Sequence, residues 1–173
     1  MAIISEKLVN FRVYEDGNDL LGVADVELST LTAMTESIKG AGIAGEFDAP
    51  VTAHFGGMEA TFNWRTLNKH NISLMAPKAY HFDLRGSQDA YDSAKHIVKQ
   101  QAVKCVIAGR PKEISLGKLD IGTSTGTANK FEVMYIKISV DDETLLEYDK
   151  HNFIYVVDGV DYAADIRDAL GLS

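Results

Sequence analysis

Gly40, Gly42 and Gly45, in the stretch SIKGAGIAGEFDAP from Ser37 to Pro50, stand in the spacing G-x-G-x-x-G. In a dinucleotide-binding loop that spacing follows a strand and opens a helix, whose free N–H groups meet a pyrophosphate. An acidic residue about 20 positions further on then reaches the ribose. Here the downstream helix is missing. Pro50 disfavours α geometry at Ala49, and Gly56-Gly57 would break a helical run. Met58, Ala60, Phe62 and Trp64 then alternate with Glu59, Thr61 and Asn63, which is a strand pattern with one polar face. The glycines read as a flexible bend between two strands, where a backbone needs positive φ or close approach to a neighbour.

Other routes to chemistry close in the same way. His54, His70, His81, His96 and His151 form neither H-E-x-x-H nor an i,i+4 pair, so no metal is expected. The only Gly-Lys pair, Gly117-Lys118, is followed by Leu119 rather than by the Ser or Thr of a P-loop. Asp141, Asp142 and Glu143 read as a solvated turn, without the alternating acidic ligands of a calcium loop. The single cysteine, Cys105, lies in the apolar run VKCVIA and reads as a small buried hydrophobe. One cysteine leaves no internal disulfide and fits a reducing compartment. No catalytic residue, cofactor or metal is expected. Tyr135, Tyr148, Phe153 and Tyr155 fall on strand candidates, where packing in a core or a subunit interface is the favoured reading. The alternative is a soluble β-sandwich module that binds a peptide or carbohydrate through those aromatic faces.

The 173 residues suit a single domain spanning 1–173, and 46% hydrophobic with 24% charged residues is ordinary for a globular chain. No apolar run approaches the roughly 18 residues of a membrane span, and MAIISEKLVNF lacks the pattern of a secretory leader. Neither a leader nor a membrane anchor is expected. Seventeen basic against 25 acidic residues give a net charge of −8. Because nonspecific nucleic-acid binding comes from Lys and Arg releasing counterions, this chain should not grip DNA that lies beside it.

The elements that must carry these residues are mostly strands. NFRVYEDGNDLLGVADVELSTL holds two apolar stretches about Asp16-Gly17, a strong hairpin signal. A strand over Thr32 to Lys39 leads into the glycine bend and on to a strand from Gly57 to Trp64. RTLNKHNISLM predicts a short helix with Thr66 as N-cap, closed by Pro77. Tyr80, Phe82 and Leu84 alternate with His81, Asp83 and Arg85. The segment 87–101 reads equally as a helix capped by Ser87 or as a polar loop inside a long hairpin. Gly117, Gly122 and Gly126 mark a loop, and FEVMYIKISVDDETLLEYD predicts two strands about Asp141-Asp142. FIYVVDG is a further strand, followed by a helix with Asp161 as N-cap and Gly171 as its stop. The fold expected is mainly β, an antiparallel sandwich or barrel with one or two short helices.

The C-terminal segment LLEYDKHNFIYVVDGVDYAADIRDALGLS resembles the end of the major tail tube proteins of contractile-tailed phages and of R-type pyocins. The shared pattern is Asp149, then Asn152, then Asp158-Gly159-Val160-Asp161, then a helix ending Leu170-Gly171-Leu172. Three further segments are similar in the same order: the hairpin at Gly17, the glycine-rich stretch at Gly40, Gly42 and Gly45, and the strand end carrying Gly109, Arg110, Lys112 and Glu113. Arg85 to Ser87 also matches. The chain departs from the pattern at Ile107 and Ala108, and in a longer segment between Ser87 and His96. At that segment the resemblance favours a hairpin.

The resemblance implies a virion tail protein, or a part of a phage-tail-like particle, assembled in the host cytoplasm. It implies six-membered rings of this subunit stacked into a hollow tube inside a sheath. The further partners implied are baseplate or tube-initiator proteins, a tail terminator, a tape measure protein in the lumen during assembly, and DNA only as transiting cargo. Excess acidic charge suits a wall past which a polyanion must slide. On that reading Glu59, Thr61 and Asn63 are lumen candidates. Gly40, Gly42, Gly45, Ser87 and Asp92 are candidates for contacts between subunits or stacked rings.

Overall fold

The computed structural model describes residues 2–19 and 22–172. Leu20 and Leu21, within the second apolar stretch expected after Gly17, lie outside the described residues. In chain order the elements are β1 (Ile3–Glu15), β2 (Asn18–Asp19), β3 (Val23–Glu27), β4 (Ala33–Lys39), β5 (Glu46–Phe55) and β6 (Glu59–Trp64). They continue with α1 (Lys69–Ser73), β7 (Tyr80–Asp92), β8 (Ile97–Ser115), β9 (Ala128–Val140), β10 (Glu143–Asp149), β11 (Ile154–Val157), β12 (Val160–Asp161) and α2 (Ala164–Ala169). The protein is mainly β and antiparallel, with two short helices.

One sheet runs β12–β11–β10–β9–β8–β7–β1–β2, and it forks at β9. Residues 128–132 of β9 pair with β6, which in turn pairs with β3, while residues 135–140 of β9 pair with β10. The fork has a local cause. Between the pairs Ala108↔Tyr135 and Gly109↔Val133 the register slips, leaving Met134 as the extra residue of a bulge. A Cβ at Gly109 would stand 2.5 Å from the Glu132 carbonyl oxygen, so only glycine lets the two strands approach there. The bulge turns both Val133 and Ile136 inward, although simple alternation would put them on opposite faces.

The fork folds β3 and β6 over β1, β7 and β8. Met58, Ala60, Phe62 and Trp64 all point inward, as their alternation predicts, and meet Val13, Phe82, Ile107 and Phe131. Phe62 sits 4.6 Å from Phe82 and 5.4 Å from Phe131 between ring centroids, and such a buried aromatic contributes several kcal/mol, roughly 3–5 on truncation to alanine. Cys105 lies in this core, 4% exposed, and burial pushes its thiol up to about 12.

Four expectations need correction. The helix near residue 70 starts later than Thr66, because Asn68 is the N-cap and exchanges hydrogen bonds with Asn71 in a capping box. The final helix is capped at Ala163 without a side-chain bond, and Asp161, three residues before the helix proper, instead accepts from the Ala163 N–H. For the region 87–96 the helix alternative falls and the hairpin holds, with little of it loop. β7 runs on to Asp92, and residues 93–96 turn tightly into β8. Finally, the glycine bend does not lead directly to the strand at Gly57. An additional strand, β5, intervenes and returns along β4, with Pro50 paired opposite Thr35. Pro50 is tolerated because β5 is an edge of a two-stranded sheet and need not donate on its outer side.

Candidate assembly interface

β4 and β5 form a separate two-stranded sheet, an arm whose tip is residues 40–45. Gly40, Gly42 and Gly45 all have positive φ at this tip, with nothing within 4 Å of where a Cβ would stand. They are brought together, but around open solvent rather than a ligand cradle. The Gly40 carbonyl accepts from the Ile43 N–H and closes the turn. Residues 34–39 and 46–48 are all exposed. Ile38 pairs directly with Phe47, and the alternation of Phe47, Ala49 and Val51 along β5 places them on that same face. Ser37, Lys39, Glu46 and Asp48 take the other face. The arm therefore has a largely apolar face, interrupted by Glu36 opposite Ala49, with Phe47 50% and Val51 41% exposed.

The root of the arm is firmly held. Phe55 packs edge-on against Tyr148 at 4.9 Å and Tyr155 at 5.2 Å, and the Gly56 N–H donates to the Thr32 carbonyl at 2.9 Å. The Lys150 ammonium donates to the Gly56 carbonyl at 3.0 Å and lies 3.8 Å from Glu132. Glu132 also faces Lys112 at 3.6 Å, and Lys112 donates to Glu59. That hydrogen bond holds the Glu59 carboxyl below its usual range and raises Lys112. An alternating chain Glu59–Lys112–Glu132–Lys150 thus runs from β6 across β8 and β9 to the arm's root.

The remaining residues singled out by sequence are scattered over the fold and serve its turns. Gly17, with Asp16, takes positive φ in the β1–β2 turn, as do Asp158 and Gly159 before β12. Asp149 accepts from the His151 and Asn152 N–H groups and from the Asn152 amide, which closes the β10–β11 turn. Asp161 is bound at 2.6 Å by Arg167, which also donates to the Phe153 carbonyl. Arg110 and Glu113 lie exposed on β8, Glu113 4.0 Å from Lys130, and Val160 is exposed on β12. On β6, Asn63 donates to Asp25 of β3 at 2.6 Å, and Thr61 lies between Glu27 and Lys130 in register. Ser87 donates to Gln100 across the β7–β8 ladder. Asp92 accepts from the Ala94 and Lys95 N–H groups and pairs with Lys99 at 3.3 Å, so it caps the turn at the far end of that hairpin.

Sequence reasoning missed the arm's apolar face. The signal was the alternation of Phe47, Ala49 and Val51, which Pro50 obscured. It also missed Glu132 and Lys150, whose roles depend on contacts between distant strands.

The chain is 30% identical over 171 residues to the major tail tube protein of Serratia phage KSP20, covering 98% of each chain. It is 29% identical over 178 residues to the tail tube protein of Escherichia phage P2, covering 96% of this chain and 97% of the relative. The profile of the family described as Phage tail tube protein FII matches residues 5–171. With nearly the whole chain matched and a mainly antiparallel β fold in place, the protein belongs to this family of tail tube proteins, structural components of the virion tail that assemble with themselves and with other tail parts.

Proposed function

We propose that the protein is the inner-tube subunit of a contractile tail, in which six copies close into a ring and the rings stack around a continuous bore. The bore conducts DNA, or ions where the particle is a DNA-free bacteriocin. The observation that carries this reading is the β4–β5 arm. A two-stranded hairpin is marginal in water, and this one holds Met34, Ile38, Phe47 and Val51 uncovered above a rigid root. A neighbouring copy supplies the missing layer. Ring closure also removes the free sheet edges that would otherwise invite irregular pairing.

The tip at Gly40, Gly42 and Gly45 and the β7–β8 turn capped by Asp92, with Ser87 on the strand leading to it, are the contacts between subunits or stacked rings. Glu59, Thr61 and Asn63, on the outward face of β6, suit the bore wall: Lys112 and Lys130 beside them are each paired with a carboxylate, which leaves a passing polyanion little to bind. A sheath surrounds the tube, an initiator and a terminator close its ends, and a tape measure occupies the bore before the cargo does. Negative-stain imaging of concentrated, nucleated protein tests the reading. Hollow rods with six-fold end views are expected; isolated globules under the same conditions would refute it.

A further inference from the structure

The β8–β9 loop, residues 116–127, holds Leu116, Leu119 and Ile121 in water, and two of them almost wholly: Leu119 is 86% and Ile121 is 100% exposed. The loop is not slack. The Lys118 N–H donates to the Thr125 carbonyl at 2.7 Å, the Thr125 N–H donates to the Arg65 carbonyl at 2.9 Å, and the Thr127 hydroxyl donates to the Leu116 carbonyl at 3.1 Å. At its neck a Cβ on Gly117 would fall 2.0 Å from the Thr125 oxygen, so glycine is required for the crossing. Ordering a loop opposes folding through lost entropy, and displaying Leu and Ile on it gains nothing in a lone subunit.

The same chain carries a matching hollow. Between β3 and the β1–β7–β8 layer lies an open apolar groove of about 130 Å³, lined by Leu8, Phe11, Val26, Leu28, Leu84 and Cys105 among others. An apolar cavity of about 150 Å³ accepts a benzene ring, so this one has room for a single branched aliphatic side chain. The charged residue on its lining is Arg85. The loop sets Asp120 between Leu119 and Ile121, with only an exposed, weak pairing to Lys118 at 3.7 Å. Knob and groove thus agree in polarity and size, while Arg85 is bound by Asp83 of its own subunit at 2.8 and 3.0 Å.

We infer that Ile121 of one subunit enters the Leu28–Leu84–Cys105 groove of a second copy. Loop and groove cannot meet within one molecule, because β8 carries Cys105 in the groove and ends at Ser115 below the loop, up to roughly 35 Å of strand away. A contact between opposite ends of the same chain is head-to-tail and propagates without closing on a dimer. Such a contact acts around a ring or along a stack of rings, and it rests on the tube reading above.

Disulfide trapping with the double variant Ile121→Cys/Leu28→Cys tests it. Both positions are exposed in the free subunit, so folding is undisturbed, and all variants carry Cys105→Ala, which removes the native thiol lining the same groove. Oxidised tubes should give a denaturing-gel ladder running past the dimer, absent from unassembled subunits and from either single variant. The Ile121→Ser variant should raise the critical concentration for polymerisation about tenfold, the worth of one buried aliphatic side chain. Tubes that form without cross-linking, or a product stopping at the dimer, would overturn the inference while leaving the tube reading intact. So would Ile121→Ser tubes that polymerise normally but fail to bind another tail component. If wild-type protein forms no tubes at all, both readings fall together.

Discussion

Arg167 on α2 reaches back to Asp161, Nη2 to Oδ2 at 2.6 Å, while its Nη1 donates to the Phe153 carbonyl at 2.8 Å. One guanidinium therefore ties the last helix, the β11–β12 turn and the end of the β10–β11 turn into a unit beside the arm's root. The hydrogen bond from Arg167 is the main reason the Asp161 carboxyl lies below its usual 3.8. A carboxylate with a lowered pKa in the folded state stabilises that state above its unfolded pKa, and the contribution fades as pH falls through the lowered value. The Arg167→Ala variant should melt a few degrees below wild type at pH 7. The gap should narrow on acidification below pH 3.8, as read by thermal melts across that range. A gap that widens in acid would contradict this origin.

Two glycines should respond in opposite ways. Gly109→Ala drives a Cβ against the Glu132 carbonyl at 2.5 Å in the centre of the sheet, so chemical denaturation should show a loss of about 1–3 kcal/mol or more. Gly42→Val sits at the open arm tip with φ +86, where the strain is local. It should leave the folded subunit close to wild type in the same experiment and shorten or abolish tubes in electron micrographs. Tubes of normal length from Gly42→Val would remove the tip from the assembly contacts.

Phe47→Ser should separate folding from assembly more sharply. Phe47 is 50% exposed on the arm and absent from the core, so subunit stability should change by no more than about 0.5 kcal/mol. Sedimentation of nucleated samples should find the protein in the supernatant, where wild type pellets.

Cys105 offers a check on the body of the fold. With the thiol 4% exposed and raised to about 12, a maleimide at pH 8 should label it only after denaturation. Prompt labelling of the native subunit would mean that the groove above Cys105 opens far more than the packing allows.

Much of this architecture was legible because strand alternation and turn chemistry are local. Met58 through Trp64 announced a strand with one buried face, and Asp16-Gly17 and Asp141-Asp142 marked hairpins whose turn residues do take positive φ. The errors arose where a local rule was outweighed. Pro50 spoke against a helix and the segment read as a bend, yet it is a strand, because an edge strand has no partner for the missing N–H. Ser87 offered a plausible cap, but Ser87 and Gln88 belong to a ladder with Gln100 and Gln101 that no single segment reveals. Thr66 and Asp161 were credible N-caps, and in each case the helix began two or three residues later. The G-x-G-x-x-G spacing was a true turn signal without a nucleotide context. The apolar face of the arm and the exposed Ile121 were beyond reach from pattern alone, since exposure depends on what the rest of the chain fails to cover.

Amide hydrogen exchange over residues 33–55, compared between free subunits and tubes, tests whether another copy completes the arm. The account predicts rapid exchange at β4 and β5 in the free subunit and strong protection in tubes, with the core strands β7 and β8 slow in both. Equal, rapid exchange of the arm in both forms would contradict it.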